Sequence, residues 1–263
     1  MKATNENIDP KKPASTKKDE MVIHAKGIRV GFVDNEVLKN ITFDLKRGEN
    51  MVVLGKSGSG KSVTIQCIVG LLKPDAGDLT VFGENVAEMN DDELKQLRMK
   101  IGFLFQSGAL YDSMTVRENL EFPLTRVLKL TDQQDIDKRV EEVLDGVGLL
   151  EAIDKLPSDL SGGMRKRVGL ARTMIVKPEI MLYDEPTTGL DPVTSREISE
   201  LILNMQKKYK TSSIIITHDM ECARITADRI VIMDDGEYIA EGSYKELQKS
   251  DNKIVKSFFS ETI

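Results

Sequence analysis

Gly55-Lys-Ser-Gly-Ser-Gly-Lys61-Ser62 constrains this 263-residue chain more than any other stretch. It satisfies G-x-x-x-x-G-K-[ST] at every fixed position, and its neighbours supply the context that pattern needs. Before it, Met51-Val-Val-Leu54 is a short continuous apolar run, as expected of a strand covered on both faces. After it, Ile65, Ile68, Val69 and Leu72 recur at helical spacing until Pro74 stops the pattern. Strand, glycine-rich turn and helix in this order hold phosphate for a physical reason. Glycines at 55, 58 and 60 let the backbone curl, so that N–H groups from Gly55 through Lys56, Ser57, Gly58, Ser59 and Gly60 to Lys61, Ser62 and Val63 converge on an anion. The helix begun near Lys61 adds its positive dipole end. Lys61 brings a full charge to β- and γ-phosphates, and the Ser62 hydroxyl suits Mg²⁺.

A loop of this kind calls for an acidic partner. Asp184-Glu185 follows the buried-strand run Ile180-Met-Leu-Tyr183, at the carboxyl end where parallel α/β sheets present ligand groups. Asp184 is expected in the Mg²⁺ shell, through water, and Glu185 as general base for the attacking water. Around these motifs the chain alternates. Val22–Val30 and Val37–Leu45 read as strands with turn chemistry at Asp34-Asn35. From about 110 to 175 the pattern turns helical, with Val140, Val143, Leu144 and Val147 on one face. Ile214–Ile216 is another buried run, and Arg229–Met233 with Tyr238–Ala240 flank Asp234-Asp235-Gly236 as a hairpin. The order implies an α/β fold: a parallel-sheet core, antiparallel strands near the start and helices inserted in the middle.

Leu160-Ser-Gly-Gly-Met164 resembles the LSGGQ signature of ABC-type ATPases, with Met164 in place of glutamine. One helix and one strand separate it from Asp184-Glu185, and the other elements of that family occur in order. Gln106, in Phe103-Leu-Phe-Gln106, is similar to the Q-loop glutamine, which senses the metal and the attacking water and adjoins a membrane partner. Gly189-Leu-Asp191-Pro192 resembles the D-loop, and His218 the switch histidine that contacts the γ-phosphate. Phe32 falls where the family places an adenine-stacking aromatic. The resemblance implies a P-loop NTPase of the ABC type: a RecA-like core, an antiparallel β subdomain, and a helical subdomain at about 107–176 within a 21–250 ATPase domain. It also implies ATP hydrolysis in a head-to-tail homodimer. Each nucleotide would lie between the phosphate loop of one subunit and Ser161, Gly162, Gly163 and Met164 of the other.

The stretch Phe105-Gln-Ser-Gly-Ala-Leu-Tyr-Asp-Ser-Met-Thr-Val116, with Glu118-Asn119-Leu-Glu-Phe-Pro123, is similar to the ATPase of Mla/Mce-type lipid transporters. That group tolerates Met at the fifth signature position. The likeness implies a separate integral-membrane permease docking near Gln106–Thr115 and phospholipid or other lipid as cargo. It further implies an Mce-type substrate-binding partner and a place on the cytoplasmic face of a bacterial inner membrane. The alternative within the same family is an ATPase that regulates a membrane complex, as in cell division, and moves nothing.

Composition narrows the remaining choices. Lys and Arg number 37 against 43 Asp and Glu, a net charge of −6, which argues against a nucleic-acid partner despite the short cluster Arg165-Lys-Arg167. That cluster reads as a solvated face near phosphate or a dimer contact. No stretch approaches the roughly 20 apolar residues of a membrane span. Two cysteines, Cys67 and Cys222, are too few for a disulfide scaffold and read as packing residues of a reducing compartment. Residues 1–20 read as a disordered tail, or through Lys11, Lys12, Lys17 and Lys18 as a weak tether to an anionic membrane, and they lack the apolar run of a secretory signal. At 251–263, Val255, Phe258 and Phe259 suit either docking on the domain or reaching a partner subunit.

Overall fold

The computed structural model describes residues 20–33 and 35–260. The N-terminal tail and its lysines, and Asp34 of the first turn, lie outside the described residues. Two sheets and two apolar cores organise the rest. The smaller sheet is antiparallel, order β2-β1-β4-β5, from β1 (Met21–Phe32), β2 (Asn35–Lys46), β4 (Ala76–Val81) and β5 (Glu84–Asn85). The larger has the order β10-β9-β3-β8-β7-β6, from β3 (Asn50–Gly55), β6 (Ile101–Leu104), β7 (Ile180–Asp184), β8 (Ser212–Thr217), β9 (Arg229–Asp234) and β10 (Glu237–Gly242). Five of these strands run parallel, and β10 closes one edge as the antiparallel arm of the hairpin expected at Asp234-Asp235-Gly236.

The period-2 alternation of a strand sends neighbouring side chains to opposite faces, and here it divides the core. Met51 and Val53 pack toward the antiparallel sheet with Ile23, Leu38, Ile65 and Ile214. Val52 and Leu54 face the other layer with Leu104, Tyr183, Ile215 and Ile232. Both sets are at most 1% exposed, which is why Met51–Leu54 contains no polar residue. The helices are α1 (Lys61–Ile68), α2 (Asp91–Met99), α3 (Val116–Arg126), α4 (Gln133–Gly146), α5 (Gly162–Met174), α6 (Pro192–Tyr209), α7 (Met220–Thr226), α8 (Tyr244–Gln248) and α9 (Lys253–Ser260). The stripe Val140, Val143, Leu144 and Val147 is buried with Leu120 and Leu124 of α3 and Val168 and Leu170 of α5. Several helices announce their starts chemically: Asn90 with Glu93 and Thr115 with Glu118 form capping boxes, and Asp191 and Asp219 cap α6 and α7.

Of the two readings of the C-terminal segment, the structure takes docking. Val255 and Phe258 of α9 are buried in the second core, and the Phe259 ring stands edge-on to Tyr244 at 5.2 Å. No helix among the described residues is long and apolar enough to cross a membrane.

Candidate nucleotide site

The strand order puts the chemistry in one place. Strand β8 lies between β3 and β7, with Leu54 paired to Thr217 and Asp184 to Ile216. The carboxyl ends of three adjacent strands therefore carry Gly55–Ser62, Asp184-Glu185 and Thr217-His218 side by side. They surround a cavity of about 610 Å³ that also takes in Gln106 and Thr188, a size suited to a small organic ligand.

The phosphate loop is held open by its own glycines. Gly60, at φ +103°, is the N-cap of α1 and offers no side chain, so the first N–H groups of that helix stay uncapped. A Cβ at Gly55 would stand 2.6 Å from the Met233 carbonyl, so the loop sits directly against β9. The Gly236 N–H donates to the Ser59 carbonyl at 3.2 Å and braces the loop from the β9–β10 turn. Lys61 is 7% exposed, and its ammonium donates to the Gly55 and Lys56 carbonyls at 2.6 and 2.9 Å. Burial lowers its pKa, opposed by the nearby Glu185 and Asp184 carboxylates.

Ser62 Oγ donates to Asp184 at 3.2 Å. Burial pushes the Asp184 carboxyl above the ordinary aspartate value, and the Ser62 hydrogen bond works against that rise. No cluster of three or more His, Cys, Asp or Glu residues suited to a metal occurs among the described residues. The adjacent hydroxyl and carboxylate instead fit a Mg²⁺ that draws most ligands from phosphate and water.

Glu185 sits in a left-handed backbone conformation, φ +50°, which is uncommon for a non-glycine residue. Its N–H donates to the Ile216 carbonyl at 2.9 Å. Its Oε2 accepts from Thr188 Oγ1 at 3.1 Å and from Thr217 Oγ1 at 3.4 Å, and His218 Nδ1 stands 2.8 Å from it. The strain thus aims a carboxylate into a ring of donors at the cavity wall, a form of strain that gathers at functional sites.

Other expected residues fall elsewhere. Phe32, about half exposed at the end of β1, is outside the cavity lining, whereas Val37 at the start of β2 is within it. Ser161 Oγ caps α5 by accepting from the Met164 N–H at 3.2 Å, and neither residue lines the cavity of its own chain. Gly163 permits close packing there, since a Cβ would meet Thr194 of α6 at 2.6 Å. Asp191 likewise spends its carboxylate on Val193, Thr194 and the α6 N-terminus. The structure corrects one reading of the basic cluster. Lys166 is buried, not solvated; Arg167 pairs with Glu197 at 2.7 Å, and Arg165 stays exposed. Thr188, Thr217, Val37 and Lys166 are site neighbours without a motif of their own, although Thr188 and Thr217 each lie within three residues of a motif residue.

A phosphate loop, an acidic pair and a histidine on adjacent parallel strand ends define a P-loop nucleotide hydrolase. The family model for ABC transporters matches residues 38–188, and the chain belongs to that family as an ATP-hydrolysing cassette subunit. It is 36% identical over 240 residues to "Probable ribonucleotide transport ATP-binding protein mkl" of Mycobacterium leprae, covering 91% of this chain and 69% of that protein. It is 37% identical over 256 residues to the chloroplastic protein TRIGALACTOSYLDIACYLGLYCEROL 3 of Arabidopsis thaliana, covering 91% and 73%. Among solved structures, the dimeric post-hydrolysis state of the ATP-binding cassette MJ0796 with ADP and Pi matches at a TM-score of 0.74 and 33% identity, over 84% of this chain and 98% of that one.

Proposed function

We propose that this ATPase works as a head-to-tail homodimer closed around two ATP molecules and drives a separate integral-membrane permease of the Mla/Mce type. Its cargo is phospholipid or another lipid of a bacterial envelope, and its place is the cytoplasmic face of the inner membrane, with an Mce-type protein as a further partner. Residues 21–250 form the ATPase unit, with 107–176 as its helical part. One observation carries the catalytic half of this reading: Lys61, Asp184, Glu185 and His218 share one cavity.

In that cavity the loop N–H groups and Lys61 bind the phosphates. Ser62 and, through water, Asp184 would hold Mg²⁺ with Gln106 near it, and a bound ion would supply charge neutralisation for the phosphates. Glu185 accepts a proton from water as the water oxygen bonds to the γ-phosphorus and the bond to ADP oxygen breaks. His218, whose Nδ1 stands 2.8 Å from Glu185 Oε2, is the group that reaches the γ-phosphate. Ser161, Gly162, Gly163 and Met164 act on the partner subunit's nucleotide, and Asp191 lies on the dimer face; their absence from this chain's own cavity supports that reading. Phe32 is the ring that would stack on adenine.

The lipid reading is supported by the Phe105–Pro123 stretch and by a relative named for a glycolipid. Its test is native purification from membranes, with co-purified proteins and lipids identified by mass spectrometry, then reconstitution of the complex in vesicles. ATP-dependent lipid movement is expected. Recovery without a permease, or a complex that hydrolyses ATP and moves no lipid, would favour the regulatory alternative.

A further inference from the structure

Helix α5 grips the Gln106 segment along one face, at positions three residues apart. Lys166 Nζ donates to the Gln106 carbonyl and, at 3.4 Å, to the Glu185 carbonyl. Gly169 lets the helix touch the loop directly: a Cβ there would stand 2.9 Å from the Gly108 carbonyl oxygen. Arg172 Nη1 donates to the Ala109 carbonyl at 2.5 Å while its guanidinium lies over the Tyr111 ring at 4.6 Å. The same helix begins at Ser161-Gly162-Gly163.

Lys166 is the unusual member of this face. It is 7% exposed, and a buried ammonium is costly unless its protons are taken up. Here two are taken by main-chain carbonyls, and each carbonyl belongs to a residue of the nucleotide site. Glu185 is thereby held at both ends of its left-handed turn, by Ile216 through its N–H and through its C=O by Lys166 together with the Thr188 N–H at 3.3 Å. A side chain aimed from a strained backbone keeps its aim only while both peptide groups are held.

We propose that Lys166 is a positioning residue for hydrolysis, locking the main chain of Gln106 and of Glu185 to helix α5 so that loop, base and signature helix keep one geometry. The proposal rests on the reading of Glu185 as the base. Lys166 does not line the nucleotide cavity, so its loss should slow turnover and spare binding.

The test compares Lys166→Met, which removes the donors, with Lys166→Arg, which keeps them, in the full-length protein. Lys166→Met should lower kcat at least tenfold with KM for ATP within threefold of wild type, and Lys166→Arg should retain at least a third of the rate. Added to Glu185→Gln, Lys166→Met should cause no further loss. If Lys166→Met does not fold, Lys166→Gln, too short to reach both carbonyls, is held to the same thresholds. Turnover within twofold of wild type overturns the proposal, as does a raised KM at unchanged kcat, or an arginine variant as slow as the methionine one. Glu185→Gln alone keeps the two claims apart. If it hydrolyses normally, the base reading fails and takes the Glu185 half of the proposal with it. If it is inactive while Lys166→Met is active, only the proposal fails.

Discussion

Glu185→Gln changes one charge in a site whose geometry is otherwise held by backbone. The side chain is 17% exposed, and Oε2 accepts from Thr188 and Thr217, with His218 Nδ1 2.8 Å away. Glutamine has the same shape and keeps one acceptor oxygen, so the donors retain a partner. Turning charge-assisted hydrogen bonds into neutral ones costs about 1 kcal/mol, a fall of roughly 2–4 °C in melting temperature for a chain of this size. The chemical cost is larger. A positioned general base contributes about 10²–10⁴ in rate, or roughly 3–5 kcal/mol of barrier. Phosphate release under saturating Mg-ATP should therefore drop by at least a hundredfold. ATP binding should persist, and with hydrolysis blocked the ATP-bound dimer should accumulate in light scattering. Turnover within fivefold of wild type, or loss of ATP binding together with turnover, would refute the assignment. Glu185→Gly offers a second check. Glycine adopts φ +50° freely, so about 1 kcal/mol of relieved strain offsets the lost hydrogen bonds. That variant should be inactive yet melt within about 4 °C of wild type.

Further outcomes follow from other contacts. Asn119 is fully buried; it accepts from the Tyr111 N–H at 2.8 Å and donates to the Tyr111, Met114 and Thr115 carbonyls. Asn119→Ala should cost about 2–3 kcal/mol by orphaning that loop, and a thermal shift under 2 °C would contradict it. Because burial raises the Asp184 carboxyl, its ionised form lowers stability as pH climbs from the ordinary aspartate value through the raised one. In metal-free buffer Asp184→Asn should thus melt higher than wild type at pH 7 and show no advantage once both states are protonated; equal melting at pH 7 would sink the argument. Burial pushes the Cys67 and Cys222 thiols up to about 11 and about 12. Neither should react with iodoacetamide at pH 8 until the protein is unfolded, as read by mass spectrometry.

How much of this was legible beforehand depended on whether local chemistry or distant packing decided the outcome. β3, β7 and β8 are buried on both faces, and their apolar runs Met51–Leu54, Ile180–Tyr183 and Ile214–Ile216 read as strands, although β8 also buries Ser212, Ser213 and Thr217. β4 exposes its first three residues and buries only Leu79 and Val81, and α2 buries only Leu97. Neither carries a full period of apolar residues, and neither is visible without its neighbours. The phosphate loop and acidic pair were legible because their chemistry is carried by contiguous residues. Val37 was not, since its place at the cavity follows from β2 folding over the loop.

Lys166 marks the limit most clearly. In sequence it stands between two arginines, and three consecutive basic residues at a helix start ordinarily mean a solvated face. Helical geometry separates them, since neighbours on a helix point about 100° apart. Arg165 and Arg167 turn to solvent and to Glu197, while Lys166 turns inward with Gly169 and Arg172. What brings its ammonium to the two carbonyls is the parallel pairing of β6 with β7, which sets Leu104 beside Tyr183 and so carries Gln106 and Glu185 off the same end of the sheet. A motif names the groups that touch phosphate. The groups that hold those groups in place are fixed by sheet order, and only the assembled fold reveals them.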